Sequence, residues 1–321
     1  MRLQQLQLIL ALAETGSLRA AALRLNVTQP ALSKALRLLE EEFEAPLAVR
    51  TPKGVRLAPA GELLAARATI VLREIERARE EIAWQTHQAQ ARVSIGISPV
   101  AAAMLLPGAL ARLHARWPLV VVRVVDTLYP DAITLMRSGD LDIALGPLPA
   151  NGAGSDLHIQ ALFESQLVLV VREGHPKADA RKLAELVDSG WVITGPDHGP
   201  GDPRVLGFAK SGLVVPRPWV ECESFSSLLV LIGKLDLIGI MPLGHFERYG
   251  ANMGLLRLDI EDPMPSNTVH AIWRADTPLT VPTRSLLDAL EQEAFAARAG
   301  KSAVSRDTGI VGNRSPSPGE A

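Results

Sequence analysis

The chain has 321 residues, 47% of them hydrophobic, and a formal net charge of -2 at pH 7. This length can bury more than one core and predicts about two or three domains. The single cysteine, Cys222, excludes an internal disulfide framework and favours a buried apolar thiol over a redox sensor. The sequence contains no signal peptide and no apolar run of about 18 residues, so it supports neither secretion nor membrane spanning and predicts a cytoplasmic protein.

Positive charge is concentrated near the N terminus. Residues 1–57 contain eight Lys or Arg and five Asp or Glu, a net charge of +3, and the other 264 residues carry -5. A basic segment favours a polyanionic partner, and its modest excess predicts that two copies of the chain bind together.

Residues 17–37 are predicted to form two short helices separated by a tight turn. Ser17 and Thr28 are each placed to cap a helix, and Asn26-Val27 interrupts the apolar pattern between them. Pro30 falls in the first turn of the second helix, where its missing N–H costs nothing. This shape fits the major groove of DNA, and the alternative is an ordinary helical hairpin.

The outward face of the second helix is polar. Gln29, Ser33 and Arg37 recur every four residues, with Lys34 beside them, so one stripe carries groups that suit base edges. The capped start of the helix can hold a phosphate, and the alternative for this face is simple solvation. The residues predicted to contact DNA from this helix are Thr28, Gln29, Pro30, Ser33, Lys34 and Arg37.

Residues 47–57 are predicted to form a β-hairpin around the turn Thr51-Pro52-Lys53-Gly54. Arg50, Lys53 and Arg56 make it basic. Beside a recognition helix, such a hairpin is a wing that contacts the flanking backbone or the minor groove. The alternative is a solubilising surface hairpin.

Seven short segments of residues 1–90 have the order and spacing of one protein family: Gly16-Ser17-Leu18, Ala20-Ala21-Ala22, Gln29-Pro30-Ala31-Leu32-Ser33, Leu39-Glu40, Arg50-Thr51, Gly54-Val55-Arg56-Leu57 and Ala60-Gly61. They resemble the winged helix-turn-helix of LysR-type transcriptional regulators. The chain departs from the family pattern at Ala48, where Phe is usual, and at Ala58, where Thr is usual. We expect looser packing of the wing from the first difference and a lost helix cap from the second.

One long helix is predicted from Pro59 to about Gln90. Its apolar positions alternate spacings of four and three, which is typical of a helix packed lengthwise on a partner. These positions are Leu64, Ala68, Val71, Ile75, Ala78 and Ile82. The alternative is packing on its own domain. The resemblance favours a dimerisation linker and implies a homodimer or a tetramer of two dimers, bound to double-stranded promoter DNA, with RNA polymerase as a further partner.

From residue 91 onward, short apolar strands alternate with helices, which predicts right-handed crossovers and a parallel sheet. We expect strands at 92–98, 119–126, 142–145, 166–172, 191–194, 220–222 and 237–241, and helices at 101–117, 130–138 and 283–297. The resemblance implies two Rossmann-like α/β lobes around a small-molecule site, as in periplasmic binding proteins. The predicted boundaries are 1–58 for the winged helix-turn-helix, 59–90 for the linker helix, 91–298 for the effector domain (lobe I 91–165 and 266–298, lobe II 166–265) and 299–321 for a disordered tail.

The best candidate for a ligand site is the end of the first strand of this region. Ser98-Pro99 precedes a helix whose free N–H groups begin at Val100, which suits a carboxylate or sulfonate. The alternative is that Ser98 only caps its own helix, and the resemblance favours the effector site. Phe225 could stack on an aromatic ligand. The remaining candidates are Gly146, Pro147, His198, Gly199, Pro200 and Ser224.

The combination of Ser98-Pro99, Tyr129-Pro130, Gly199-Pro200-Gly201 and Cys222 to Phe225 resembles the LysR-type members that regulate aromatic sulfonate use. If so, Ser98 would hold the anionic group, and Val100 and Phe225 would contact the ring.

No catalytic residue, metal site or cofactor is predicted. The segment from Gly96 to Val100 lacks the second glycine of a nucleophile elbow, no P-loop is present, and the seven histidines have no metal-ligand spacing. The sequence therefore predicts an allosteric LysR-type regulator, not an enzyme, that responds to an anionic or aromatic effector. The alternative is a solute-binding protein or a small-molecule enzyme built on the α/β lobes.

Overall fold

The computed structural model describes residues 1–52, 54–86, 90–148, 152–195, 197 and 202–307, with side chains described as far as residue 298. It divides into two compact units, one of Met1–Arg92 with Thr134–Leu141 and the other of Val93–Ile133 with the residues from Asp142 onward. Within the described ranges, no helix is both long enough and apolar enough to cross a membrane.

The first unit is built from helices and one β-hairpin. In chain order its elements are α1 (Leu3–Thr15), α2 (Leu18–Arg24), α3 (Gln29–Phe43), β1 (Ala48–Thr51), β2 (Gly54–Leu57) and α4 (Pro59–Gln85). Ile9 of α1, Ala21 of α2 and Leu39 of α3 are fully buried in a shared core. The apolar stripes predicted for the two short helices therefore pack against the same helix, α1.

The helix-turn-helix is confirmed, including its caps. The Ser17 hydroxyl accepts a hydrogen bond from the Ala20 N–H, and the Thr28 hydroxyl accepts one from the Ala31 N–H. Asn26, in the turn between the helices, has a left-handed backbone with φ of 54°, which Asn tolerates better than most residues. A side chain that accepts the first free N–H groups fixes where each helix begins.

The predicted hairpin is also confirmed, with β1 and β2 antiparallel and Ala48 opposite Leu57. Two glycine positions hold it in place. The Val55 N–H donates to the Gly16 carbonyl at 2.8 Å. A Cβ on Gly61 would lie 1.9 Å from the Leu47 carbonyl oxygen, so only glycine lets α4 approach the start of the hairpin so closely.

The linker helix α4 ends at Gln85 and not at Gln90. Its N-cap residue, Ala58, makes no side-chain capping bond, as the absence of threonine predicted. Ala68, in the first half, is fully buried, whereas Val71 is 42% exposed and Ile82 is 63% exposed. Packing on its own domain therefore describes α4 as far as Ala68. Beyond Ala68, the seam positions Val71, Ala78 and Ile82 are exposed, and Ile75 is half-buried.

The second unit is an α/β structure around one sheet. Its elements are β3 (Arg92–Ile97), α5 (Pro99–Met104), α6 (Leu106–Arg116), β4 (Val121–Asp126), α7 (Asp131–Arg137), β5 (Ile143–Pro147), β6 (Leu157–Arg172), β7 (Gly190–Thr194), α8 (Pro203–Lys210), β8 (Val220–Cys222), α9 (Phe225–Lys234), β9 (Leu237–Pro242), α10 (Leu243–His245), β10 (Leu255–Arg257), β11 (Ser266–Arg274) and α11 (Val281–Asp307). The final residues of α7 are grouped with the first unit.

The strands follow the order β4-β3-β5-β11-β6-β9-β7-β8, with β10 also on β6. We call β3 to β5 with α5, α6 and α11 lobe I, and β7 to β10 with α8 to α10 lobe II. The first part of β6 pairs with β11 and its last residues pair with β9 and β10, so β6 and β11 connect the lobes.

The prediction of a parallel sheet is correct only within the lobes. β3 is parallel to β5, and β7 is parallel to β8 and β9. β11 is antiparallel to both β5 and β6, because the chain passes from lobe I to lobe II along β6 and returns along β11. The sheet is therefore mixed. The predicted crossing strand begins at residue 166 and therefore lacks the first nine residues of β6.

Lobe II buries both faces of its sheet. Leu169 contacts a cluster with Trp191 and Phe208, and the next residue along the strand, Val170, contacts a cluster with Val192. Successive side chains of a strand point to opposite faces, so a continuous apolar run indicates a sheet that is covered on both sides.

Two helix predictions were wrong in extent. The helix expected at 101–117 is divided at Leu105 into α5 and α6. Pro107 explains the break, because it has no N–H for the carbonyl four residues earlier and lies in the first turn of α6. Helix α11 passes Ala297 and continues to Asp307, into the segment predicted as a tail; residues 308–321 lie outside the described residues.

Candidate functional site

The predicted DNA-contacting face of α3 is exposed. Gln29, Lys34 and Arg37 are exposed and Ser33 is half-buried. Arg37 pairs with Glu41 at 3.5 Å across one helical turn, between two solvent-exposed side chains. Such a pair contributes little free energy, so the guanidinium remains available to a phosphate or a base.

The same helix begins with groups suited to a phosphate. Thr28 caps it, and Pro30 lies exposed in its first turn. The N–H groups near a helix N terminus and the positive end of its dipole favour an anion. The groups predicted to contact bases and phosphates are therefore exposed along α3 and at its N terminus.

In the hairpin, the two described arginines differ in position. Arg50 is opposite Val55, and Arg56 is opposite Val49. Opposed residues share a face of a β-ladder and neighbours along a strand alternate, so the two arginines point to opposite faces. Val55 packs on the core of the unit, which places Arg56 on the outer face. Lys53 lies outside the described residues.

A cavity of about 220 Å³ lies between lobe I and lobe II. Ser98, Pro99 and Val100 line it from the end of β3, and Pro147 lines it from the end of β5. Phe225 lines it from lobe II. The structure thus brings five predicted effector residues to one cavity, at the carboxyl ends of two parallel strands, where ligands of α/β folds usually bind.

Ser98 contributes to this wall a buried hydroxyl that has no hydrogen-bond partner among the described residues. The residue is 1% exposed. Ser98 occupies the N-cap position of α5, but its hydroxyl makes no capping hydrogen bond, so the alternative of a hydroxyl that only caps the helix is wrong. A buried hydroxyl without a partner costs free energy, and a ligand in the cavity would satisfy it.

Two further predicted effector residues lie within the described ranges, Gly146 and Ser224, and neither is among those that line the cavity. Gly146 lies behind Ser98, where a Cβ would be 3.6 Å from the Ser98 Cβ. The Ser224 hydroxyl accepts a hydrogen bond from the Ser227 N–H and caps α9. His198, Gly199 and Pro200 lie outside the described residues.

Sequence reasoning missed much of the cavity wall. The residues concerned lie on the connecting strands and on three loops, and they include Leu128, Tyr129, Pro130, Leu148, Ser165, Leu167, Thr194, Gly195, Asp202, Pro203, Asn267 and Val269. Ser165 and Asn267 are opposed on β6 and β11. Tyr129 and Pro130 could have been identified as wall residues, because they belong to the combination that resembles regulators of aromatic sulfonate use.

The charge of Asp202 is compensated next to the cavity. One of its carboxylate oxygens accepts a hydrogen bond from Arg204 at 2.9 Å, and the other accepts the Arg204 N–H at the start of α8. Arg204 is fully buried and also contacts Asp197 and the Pro216 carbonyl. The described lining contains no Lys or Arg, so its polar groups are mainly neutral hydroxyls and one amide.

The thiol of Cys222 is buried at the end of β8, and burial raises its pKa. A raised pKa keeps the thiol protonated and therefore weakly nucleophilic. Within the described residues, no group of three or more His, Cys, Asp or Glu side chains could hold a metal ion.

Comparisons with known families identify both regions. The family described as "LysR substrate binding domain" matches residues 86–295, and the family described as "Bacterial regulatory helix-turn-helix protein, lysR family" matches residues 3–62.

Two proteins with similar sequences are transcriptional regulators. The HTH-type transcriptional regulator TdcA of Escherichia coli K12 is 27% identical over 259 residues, which cover 81% of this chain and 82% of that protein. The DNA-binding transcriptional dual regulator OxyR of the same strain is 26% identical over 293 residues, covering 90% and 95%.

Similar solved structures share the fold. Full-length CbnR in complex with its target DNA superposes with a TM-score of 0.65 at 18% identity and covers 91% of this chain and all of that one. A full-length variant of OxyR from Pseudomonas aeruginosa superposes with a TM-score of 0.60 at 23% identity, covering 92% and 94%.

Proposed function

The chain belongs to the LysR family of transcriptional regulators, and we propose that it binds promoter DNA through α3 and the hairpin under the control of a small effector. It is a DNA-binding regulator and not an enzyme, which removes the alternatives of a solute-binding protein or an enzyme built on the lobes. Its place of action would be the cytoplasm, where the chromosome and RNA polymerase are.

The exposed polar face of α3 supports the DNA-reading role. Gln29 and Lys34 suit adenine and guanine edges in the major groove, and the capped N terminus suits a phosphate. Arg56, on the outer face of the hairpin, would contact the flanking backbone. A net charge of +3 on residues 1–57 is small for a DNA-binding module, so affinity would require two copies on two half-sites.

The part of α4 that follows Ala68 would supply the dimer contact. Val71 and Ile82 belong to the predicted seam and remain exposed in the single chain. Burying such positions against a second copy of α4 would remove apolar surface from water and pair two DNA-binding units. Association of two dimers into a tetramer would place further half-sites within reach.

The observation that best supports the effector site is that the buried Ser98 hydroxyl has no hydrogen-bond partner among the described residues. The cavity is small, since an apolar cavity of roughly 150 Å³ already accommodates benzene. One ring and one polar end group therefore fit about 220 Å³. Ser98 would hold a carboxylate or sulfonate, and Val100 and Phe225 would contact the ring. Within this class of ligands, an aromatic sulfonate is the most specific candidate for the effector.

Effector binding would act by changing the closure of the two lobes. A ligand that binds one closure better than another shifts the population toward it. The linker helices would convert that shift into a different spacing and angle of the paired helix-turn-helix units on DNA.

DNA binding is tested with the full chain and DNA from upstream of its own gene and of the adjacent, divergent gene. We expect fluorescence anisotropy to show specific binding that weakens as salt is raised, because phosphate contacts release counterions. Binding that is absent, or insensitive to salt, would overturn the DNA-reading role.

The effector site is tested by calorimetric titration of the full chain with benzoate and benzenesulfonate. Ser98→Ala should weaken binding by about tenfold without lowering the free energy of unfolding, because no internal hydrogen bond is lost. Ser17→Ala is the matched control: it should cost about 1 kcal/mol of stability through the lost cap of α2 and leave effector binding unchanged. Equal affinities in the wild type and Ser98→Ala would reject the site.

A further inference from the structure

Two side chains of lobe II are bound to the backbone of a lobe I helix. The guanidinium of Arg248 donates from Nη1 to the Ala103 carbonyl at 2.8 Å. The imidazole of His245 lies within hydrogen-bonding reach of the backbone of Pro99. Both acceptors belong to α5, the helix that follows Ser98. We call His245 and Arg248 the cross-lobe clamp.

Two residues, Pro107 and Gly244, favour this contact of lobe II with α5. Pro107 has no N–H to offer the Ala103 carbonyl, which lies four residues earlier, and that carbonyl is the one that Arg248 binds. On the other side, a Cβ on Gly244 would lie 2.8 Å from the Met104 sulfur, so glycine permits the close approach. Arg248 lies in a π-helical turn, a local form that often occurs at functional sites.

The clamp lies directly behind two facing walls of the cavity. From lobe I, Pro99 and Val100 line the cavity at the start of α5. From lobe II, Phe225 lines it, and the ring of Phe225 stands edge-on to the His245 ring with centroids 4.8 Å apart. His245 therefore contacts one wall through its ring and the other through its hydrogen bond.

The environment of His245 favours a neutral ring with one N–H. The residue is 9% exposed, and Nδ1 has no partner within the described residues. Burial lowers its pKa, which keeps one nitrogen unprotonated at neutral pH. A neutral imidazole has one donor, which Nε2 can direct at the Pro99 carbonyl.

We propose that His245 and Arg248 are positioning residues that hold α5 against lobe II and thereby set the width of the effector cavity between Val100 and Phe225. They restrict the effector to one ring and exclude fused two-ring compounds. The size restriction rests on the proposed effector site, whereas the holding of α5 does not. His245 carries the larger part, because Arg248 is exposed and water competes for its hydrogen bond.

The holding role is tested without any ligand, by amide hydrogen exchange of the full chain. His245→Leu and Arg248→Met remove the donors and keep most of the apolar volume, and His245→Gln and Arg248→Lys retain a donor. In His245→Leu we expect exchange about tenfold faster in both residues 99–104 and residues 243–250, with a smaller increase in Arg248→Met and rates near the wild type in His245→Gln and Arg248→Lys.

Three exchange results would overturn the proposal. They are unchanged rates in residues 99–104, an increase confined to residues 243–250, and equal increases in the Leu and Gln variants. The last two would mean that His245 stabilises only its own lobe or acts only through its packing.

The size restriction is tested by calorimetric titration with benzoate and 2-naphthoate. The wild type should prefer benzoate, and His245→Leu should reduce that preference by about tenfold, mainly through tighter binding of 2-naphthoate. An unchanged preference would reject the restriction. If the wild type binds neither acid, the proposed effector class and with it the size restriction fail, and hydrogen exchange still decides whether the clamp holds α5.

Discussion

The DNA-reading unit and the effector cavity are assembled in opposite ways. The candidate DNA contacts come from one helix and the adjoining hairpin, within about 30 residues of the chain. The cavity wall runs from Ser98 to Val269 and draws on both lobes and on the two strands that connect them. One site is local in the sequence, and the other exists only once the α/β unit has folded.

This difference determines how each site responds to change. Gln29, Lys34 and Arg37 are exposed, so their replacement should alter DNA affinity without altering the fold. In the cavity wall, Ser98 is buried, and its N–H donates to the Leu145 carbonyl at 2.7 Å. A change there acts on packing and on binding together, unless the atom removed had no internal partner.

The largest expected effect comes from a substitution that disrupts packing inside the DNA-reading unit and leaves its DNA-contacting side chains unchanged. Gly61→Ala would place a Cβ against the Leu47 carbonyl, and we expect it to lower the free energy of unfolding of this unit by about 3 kcal/mol or more and to abolish DNA binding. Gly16→Ala is the control, because its Cβ would meet nothing closer than 3.7 Å and its left-handed backbone costs about 1–2 kcal/mol.

Urea unfolding followed by circular dichroism, with anisotropy on promoter DNA, measures both variants. If Gly61→Ala and Gly16→Ala were equally stable, the close approach of α4 to the hairpin would not hold this unit together.

The next effect tests whether reading and sensing are separable. Lys34→Ala should weaken promoter binding by about tenfold, through the loss of one base or phosphate contact, and leave effector affinity and thermal stability unchanged. Lys210→Ala removes an exposed lysine at the end of α8 and should change none of the three. Parallel losses of DNA and effector affinity in Lys34→Ala would contradict the separation.

A smaller effect should distinguish the two units by their response to acid. Burial lowers the pKa of His175, His245 and His270 in the effector unit, whereas residues 1–86 contain no histidine. The unfolded chain therefore binds more protons than the folded effector unit as the pH falls through 6.5, and stability is lost in acid.

Scanning calorimetry between about pH 7.5 and pH 5.5 should show the transition of the effector unit moving to lower temperature, with less movement for the DNA-reading unit. His245→Gln should reduce that movement. Equal shifts of the two transitions would show that these imidazoles do not govern the response.

The last prediction is that peroxide has no effect on promoter binding. Some of the similar proteins are named hydrogen peroxide-inducible genes activator. In this chain, however, Cys222 is the single cysteine, it is buried, and its pKa is raised. Peroxide treatment should leave promoter binding unchanged, as measured by anisotropy before and after exposure. A response in the wild type that disappears in Cys222→Ala would contradict this interpretation.

The sequence was sufficient for the DNA-reading unit because its determinants are local. Ser17, Thr28 and Pro30 fix helix ends by themselves, and the hairpin turn is set by residues within it. Family resemblance then supplied the two lobes. The helix break at Leu105 had a visible cause in Pro107, which the continuous apolar pattern of residues 101–117 concealed.

The cavity wall was harder to predict because strand pairing over long distances creates it. Ser165 and Asn267 meet only because β6 and β11 run antiparallel between the lobes. Neither residue has a local feature that marks it as a wall of a cavity. Ser98, Val100 and Phe225 could be predicted because helix starts and aromatic side chains are visible in the sequence, but that Ser98 lacks a partner could not.

The hydrogen bond from the Val55 N–H to the Gly16 carbonyl ties the hairpin to the turn between α1 and α2. The distance from the hairpin to the reading helix is then a property of the fold, and the protein has little freedom to adjust it on DNA. The DNA would then have to bend, or narrow its minor groove, for the hairpin and α3 to contact it at the same time. Operator sequences that deform easily at the flank should therefore be favoured over stiff ones, even where no side chain touches a base.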